Sequence, residues 1–189
     1  EFVVPQFEND GTNYQINLWH RNLAGTWTKE NVWTGTTEKY VEGAICRTGG
    51  NSWIMLLRSE ANNGLYLTYS TDDRATWSTP AATGLGNTGR ANADMCLDPD
   101  GNLIVIYMDR GADSIYITEG NVIADIIADP TDWNSSSQIF LSYTTDSLGV
   151  LGYPQIVRDG FYYTIAFSAE FSSGVADLYF GYGIIGLGG

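Results

Sequence analysis

The sequence predicts an all-β fold, a β-propeller, and three observations carry that expectation. First, one unit of apolar strand, glycine turn and apolar strand recurs four times. The copies read "VVPQFENDGTNYQINLWH" (3–20), "EGAICRTGGNSWIMLLR" (42–58), "NADMCLDPDGNLIVIYM" (92–108) and "YPQIVRDGFYYTIAFS" (153–168). Second, the copies start roughly 40–60 residues apart, the period of propeller blades. Third, aromatic residues reach 13% and glycines number 22, while charged residues fall to 16%. That mixture suits many short strands joined by tight turns. A β-sandwich would also be all-β, but it does not account for the repeat.

Each element follows from the same unit. "PQF" and "PQI" open the first and last copies, and Cys46 and Cys96 stand at the same place in the middle two. The turns "NDG", "TGG", "PDG" and "RDG" give the backbone freedom that a tight hairpin requires. A third strand follows in the later copies, as "GLYLTYS" (64–70), "SIYITEG" (114–120) and "ADLYFGYG" (176–183). Only "NVIADIIADPTDW" (121–133) has helical character, and it is short and interrupted by Pro130. The 189 residues are expected to form a single propeller domain or propeller segment, with repeats near 1–41, 42–91, 92–151 and 152–189. Four units could close a small ring, or could be the later part of a larger, six-bladed one. The last copy stops soon after its third strand, so a fourth could come from another segment or a partner chain.

Charge narrows the function classes. A net charge of −13 with nine basic residues argues against nucleic acid, whose phosphates need Lys and Arg. An anionic ligand would need a local cluster of arginines. No run of about 18 apolar residues exists to span a membrane. The two cysteines lack metal-ligand spacing and read as buried free thiols, with a disulfide as the alternative. No metal or cofactor is expected. The first residue is Glu1 rather than Met, which suggests processing or one part of something longer, and an extracellular or surface-exposed location is expected.

The run "YSTDDRATWS" (69–78) carries adjacent aspartates after a third strand. A calcium loop would need more oxygen ligands at regular spacing than Asp72 and Asp73 provide. The run resembles the Asp-box of sialidases and other bacterial-neuraminidase-repeat propellers, Ser-x-Asp-x-Gly-x-Thr-Trp. Ser70, Asp72, Thr76 and Trp77 match, and Arg74 replaces the glycine. The resemblance implies a structural role: Asp72 bonds turn amides and Trp77 is buried between strands. "ADPTDWNSS" (128–136) reads as a degenerate echo of the motif.

Strand direction alone nominates a site. In each unit the first strand leaves one rim and the second returns to it. Residues just before the first and just after the second therefore become neighbours. These are Glu42 and Arg58, then Arg90, Asn92, Asp94, Asp109 and Arg110, then Tyr153 and Glu170. First strands line a propeller's central channel, so these side chains should converge on one pocket.

The stretch from Glu42 to Arg58, followed by the Asp-box-like run, is similar to the sialidase segment that opens on the catalytic Glu and closes on a carboxylate-binding Arg. "GYPQIVRDGFYYTIAFSAE" is similar to the segment that opens on the nucleophilic Tyr, which the resemblance places at Tyr153. It makes Arg110 another substrate-binding Arg with Arg90 in reserve, and it adds Glu170. A phenol has a pKa near about 10 and needs an adjacent base such as Glu42. Arginines would grip a sugar carboxylate with paired bonds, and sialidases depart from the usual two-carboxylate plan. This chain also departs from the family. Tyr153 precedes Pro154, Ser168 stands where a Glu belongs, and the family's first Arg and acid–base Asp have no counterpart.

The expectation is therefore a glycan-interacting, sialidase-like propeller that binds acidic or sialylated carbohydrate without full catalytic machinery. The alternatives are an active exo-sialidase-type hydrolase, the C-terminal portion of one, or a protein-binding propeller. Aromatic rims suit glycan binding, with Trp19, Trp27, Trp33 and Trp133 as candidates. His20 is the only histidine and no Gly-x-Ser-x-Gly occurs, so Ser, His or Cys catalysis is disfavoured.

Overall fold

A computed structural model of the chain describes residues 2–86, 91–109, 111–112, 114–120, 123–133, 138–142, 150–170 and 176–183. The described residues form four antiparallel sheets arranged as consecutive blades of a β-propeller. Blade one holds β1 (Phe2–Asn9), β2 (Tyr14–Arg21) and β3 (Trp27–Gly35). Blade two holds β4 (Tyr40–Gly49), β5 (Ser52–Ser59), β6 (Leu65–Ser70) and the two-residue β7 (Ala81–Ala82). Blade three holds β8 (Ala91–Leu97), β9 (Leu103–Asp109), β10 (Ser114–Gly120) and β11 (Gln138–Ser142). Blade four holds β12 (Val150–Asp159), β13 (Tyr162–Glu170) and β14 (Ala176–Gly183).

The hairpin turns explain the repeat. Gly11, Gly50, Gly101 and Gly160 all take a left-handed φ, of 90°, 51°, 89° and 61°. A Cβ there would be strained in any of the four turns. The short helix α1 (Ile123–Ala128) ends two residues before Pro130, as the sequence expects.

Packing between blades sets the architecture. Ile16, Leu18 and Val32 of blade one meet Tyr40, Met55 and Leu57 of blade two. Ile54, Leu56 and Leu67 of blade two meet Met95, Leu103 and Val105 of blade three. Ile104, Ile106 and Ile117 of blade three meet Ile156, Tyr163 and Ile165 of blade four. Middle blades therefore carry apolar residues on both faces, which is why β5 and β9 read as nearly continuous apolar runs.

The first strands stand side by side, β4 against both β1 and β8, and β8 against β12. Gly43 lies at one of these approaches. A Cβ there would lie 3.1 Å from Pro5 Cβ and 3.2 Å from Leu57 Cδ2. Cys46 and Cys96 remain free thiols on neighbouring first strands. Burial pushes them up to about 11 and about 12 respectively. Among the described residues, no helix is long and apolar enough to cross a membrane.

Candidate functional site

Two local distortions aim side chains into the channel. The β4/β5 register shifts between Val41 and Ala44, and the β12/β13 register shifts between Gly152 and Gln155. Glu42 and Tyr153 sit in those bulges with φ of 52° and 50°. A left-handed φ is uncommon for a residue bearing a Cβ, and bulges re-aim side chains beside functional sites. Regular pairing would instead keep each side chain on its alternating face of the blade.

The result is a cleft of about 260 Å³ lined by residues 42–44, 92–94 and 153–155. Three neighbouring first strands thus contribute three residues each. Glu42 is the hub. Its Oε2 accepts a hydrogen bond from Arg58 Nε at 2.6 Å and another from Asn92 Nδ2. Arg58 is buried, and its Nη2 reaches Glu60 Oε1 at 3.2 Å. Glu60 in turn holds Lys39, and that contact is the main reason its carboxyl sits below the usual range. A chain of alternating charge therefore runs from the surface at Lys39 to the pocket at Glu42. Arg58 Nη1 and Asn92 Oδ1 are buried beside this chain without hydrogen-bond partners.

Asp94 is a second carboxyl in the cleft. Its Oδ1 accepts from the Met95 amide at 2.9 Å, and its Oδ2 accepts from the Ile156 amide of blade four at 3.0 Å. Burial outweighs these bonds and raises its pKa. Asp94 thus ties blade three to blade four three residues beyond Tyr153.

Glu42, Arg58 and Tyr153 come together as strand direction requires. Tyr153 is exposed to the cleft, at 58%. Glu170 ends β13 opposite Val150, two residues past the Gly152–Ser168 pair. Asp109 is buried, and its carboxylate accepts the Gly111 amide at 3.0 Å. Arg90 and Arg110 lie outside the described residues. Sequence reasoning missed Lys39 and Glu60 as parts of the site. Their position flanking the Tyr40–Ser59 pair at the mouth of the same hairpin was the available signal.

The aspartate-rich turn holds itself together. Asp72 Oδ1 accepts from Ser70 Oγ at 2.8 Å and the Thr76 amide at 2.9 Å, and Oδ2 accepts from Thr76 Oγ1 at 2.6 Å. Asp73 and Arg74 both take a left-handed φ, 58° and 74°, so Arg74 occupies a conformation that favours glycine. Its buried guanidinium lies 4.7 Å over the Trp53 ring. Trp77 is only half-buried against the core shared by blades one and two, short of the burial expected for it. It lies past the end of β6, where the chain has already left the sheet. In the third blade Asp129 accepts the Thr131 amide and hydroxyl, at 2.9 and 2.7 Å, across two residues where Asp72 reaches Thr76 across four, so the turn is a different one.

No protein-family model and no curated protein sequence matches the chain. Solved structures do. Bacteroides ovatus xyloglucan PUL GH43B aligns with 95% of this chain and 38% of its own, at TM-score 0.62 and 10% identity. An exo-β-1,3-galactanase from Phanerochaete chrysosporium aligns over 93% of this chain and 46% of its own, at 0.60 and 10%. A thermostable family-43 glycoside hydrolase aligns over 97% and 69%, at 0.58 and 12%. The chain spans less than half the length of the first two. At this identity the likeness establishes the fold, and that fold is the β-propeller of family-43 glycoside hydrolases rather than one specific to sialidases.

Proposed function

We propose that the cleft at Glu42 binds carbohydrate through its hydroxyl groups, as part of a glycoside-hydrolase-like propeller. The observation that carries this reading is the arrangement around Arg58. Its Nε engages Glu42 and its Nη2 engages Glu60, so the guanidinium already faces two carboxylates. With Asp94 also in the cleft, the local surroundings are acidic. Such a site suits a neutral sugar, whose hydroxyls donate to Glu42, better than a carboxylated one. Tyr153 adds an exposed ring on which a sugar face can stack.

Two carboxyls in the cleft support extending this reading to hydrolysis. Glu42 and Asp94 are two carboxyls in unlike surroundings, one gripped by an arginine and an amide, the other buried and shifted toward its protonated form. Unequal carboxyl environments are how glycosidases separate acid from base. The sialidase-type reading, with Tyr153 as nucleophile and Glu42 as its base, is supported by their shared cleft and opposed by the engagement of Arg58.

The test is calorimetric titration with neutral xylo- and galacto-oligosaccharides and with sialyllactose, alongside hydrolysis of the matching aryl glycosides. Binding of a neutral oligosaccharide that disappears in Glu42→Gln is the expected result. Binding or turnover of the sialoside alone would overturn the neutral-sugar reading, and silence toward every glycan would remove the carbohydrate reading.

A further inference from the structure

Asn92 is a polar residue in apolar company. It stands on β8 opposite Met108, which is fully buried in the apolar cluster between blades three and four. Asn92 itself is 4% exposed. Its amide is only partly used. Nδ2 donates to Glu42 Oε2 across the boundary between blades two and three, while Oδ1 is buried with no hydrogen-bond partner. A buried acceptor left unpaired lowers stability, and an apolar side chain of the same shape, such as leucine, escapes that cost. The boundary does not need the bond for cohesion. Ile54, Leu56 and Leu67 already pack there against Met95, Leu103 and Val105. Stability therefore does not account for an asparagine at this position.

The geometry at Glu42 does. Two donors converge on one oxygen, Arg58 Nε from blade two at 2.6 Å and Asn92 Nδ2 from blade three. Oε1 takes neither bond. Both donors are themselves held, since Arg58 is 6% exposed and its Nη2 is tied to Glu60 at 3.2 Å. One donor would leave the carboxylate free to turn about its last bond. Two, arriving from different blades, fix its plane as well as its position.

We propose that Asn92 is a positioning residue for Glu42: with Arg58 it occupies Oε2 and presents Oε1 to a ligand hydroxyl in the cleft. Asn92 acts through Glu42 rather than on the ligand, because its own free oxygen is closed off from the cleft. The hydroxyl as partner rests on the carbohydrate reading, whereas the fixing of the carboxylate does not. A residue that orients a reacting group is held by such supporting bonds, and a small loss of aim there weakens the site.

Asn92→Leu and Asn92→Ala test the assignment with three readouts. Infrared difference spectra of protein carrying isotope-labelled glutamate, referenced to Glu42→Gln, isolate the Glu42 carboxylate stretches. Those bands should shift in both variants, because each loses the amide donor. The thermal midpoint of Asn92→Leu should be no lower than that of wild type. Asn92→Ala cannot clash, so it carries the other two readouts alone if leucine overpacks the site. Calorimetric titration with the neutral xylo- and galacto-oligosaccharides should show affinity lower by about tenfold in both variants. Unmoved carboxylate bands would overturn the proposal, and so would undiminished affinity. Unmoved bands with lowered midpoints in both variants would make Asn92 a structural residue instead. If wild type binds no oligosaccharide, the carbohydrate reading fails on its own, and the infrared bands still decide the role of Asn92.

Discussion

Glu42 and Tyr153 occupy equivalent places two blades apart: each is the bulged residue of a first strand, with φ of 52° and 50°. Both line the same cleft, with the regular strand β8 between their strands supplying Asn92 and Asp94. The two distortions present a carboxylate and a phenol to one volume from opposite sides. Holding a residue with a Cβ in this region costs stability, and such outliers cluster at binding and catalytic sites.

That cost gives a first prediction. Tyr153→Gly relieves the left-handed backbone and removes a side chain that is mostly in water, so stability should change by less than about 1 kcal/mol. Tyr153→Val adds a β-branched side chain to the same φ and should lower stability by roughly 1–2 kcal/mol. Urea denaturation of both variants reads the difference. Equal stabilities would show that the bulge is not strained.

Arg58→Ala should destabilise the fold by about 2–3 kcal/mol, less than the roughly 3–5 of a fully buried pair. The reduction reflects Glu42 and Glu60, whose side chains keep 31% and 30% of their surface in water. Glu42→Gln keeps the acceptor oxygen and should be milder, while removing the charge from the cleft. Thermal unfolding separates the two variants, and an Arg58→Ala cost below that of Glu42→Gln would contradict the network.

Asp72 predicts an acid-range effect. Bonds from Thr76, first its hydroxyl and then its amide, followed by Ser70, lower its pKa from 3.8 to about 2. A depressed folded-state value means stability that is fully present above the unfolded pKa and is lost as pH falls through the folded one. Wild type should therefore lose stability between about pH 4 and pH 2 more steeply than Asp72→Asn, in which that group does not titrate. Urea midpoints at intervals through this range are the measurement, and parallel curves would refute the assignment.

Gly43→Ala tests the approach of blade two to blade one. The added methyl would meet Pro5 and Leu57 at 3.1 and 3.2 Å, so both must shift by a few tenths of an ångström. A loss of roughly 1–3 kcal/mol is expected, the usual penalty for overpacking. No change in thermal midpoint would show that the β1–β4 contact is loose.

The propeller, its hairpins and the rim that carries its polar residues were legible in the sequence, because they rest on local rules. Period-2 strands, apolar runs for doubly covered sheets and glycine turns leave marks within a few residues of each other. Strand direction then placed Glu42, Arg58 and Tyr153 at one end without any coordinates. The tertiary structure alone decided how those residues are used. Glu60 and Glu42 both bond the Arg58 guanidinium, Asn92 reaches Glu42 across fifty positions of sequence, and Asp94 bonds the Ile156 amide of another blade. Each of these depends on which blade lies beside which and on a one-residue register shift at two bulges. A sequence pattern of period 2 does not record a bulge, since one extra residue only reverses the face of the residues after it. The outer faces of blades one and four show the same division. Val4, Val157 and Tyr162 read as ordinary strand residues and Trp27 as a candidate rim aromatic, and only the placement of the sheets leaves them uncovered.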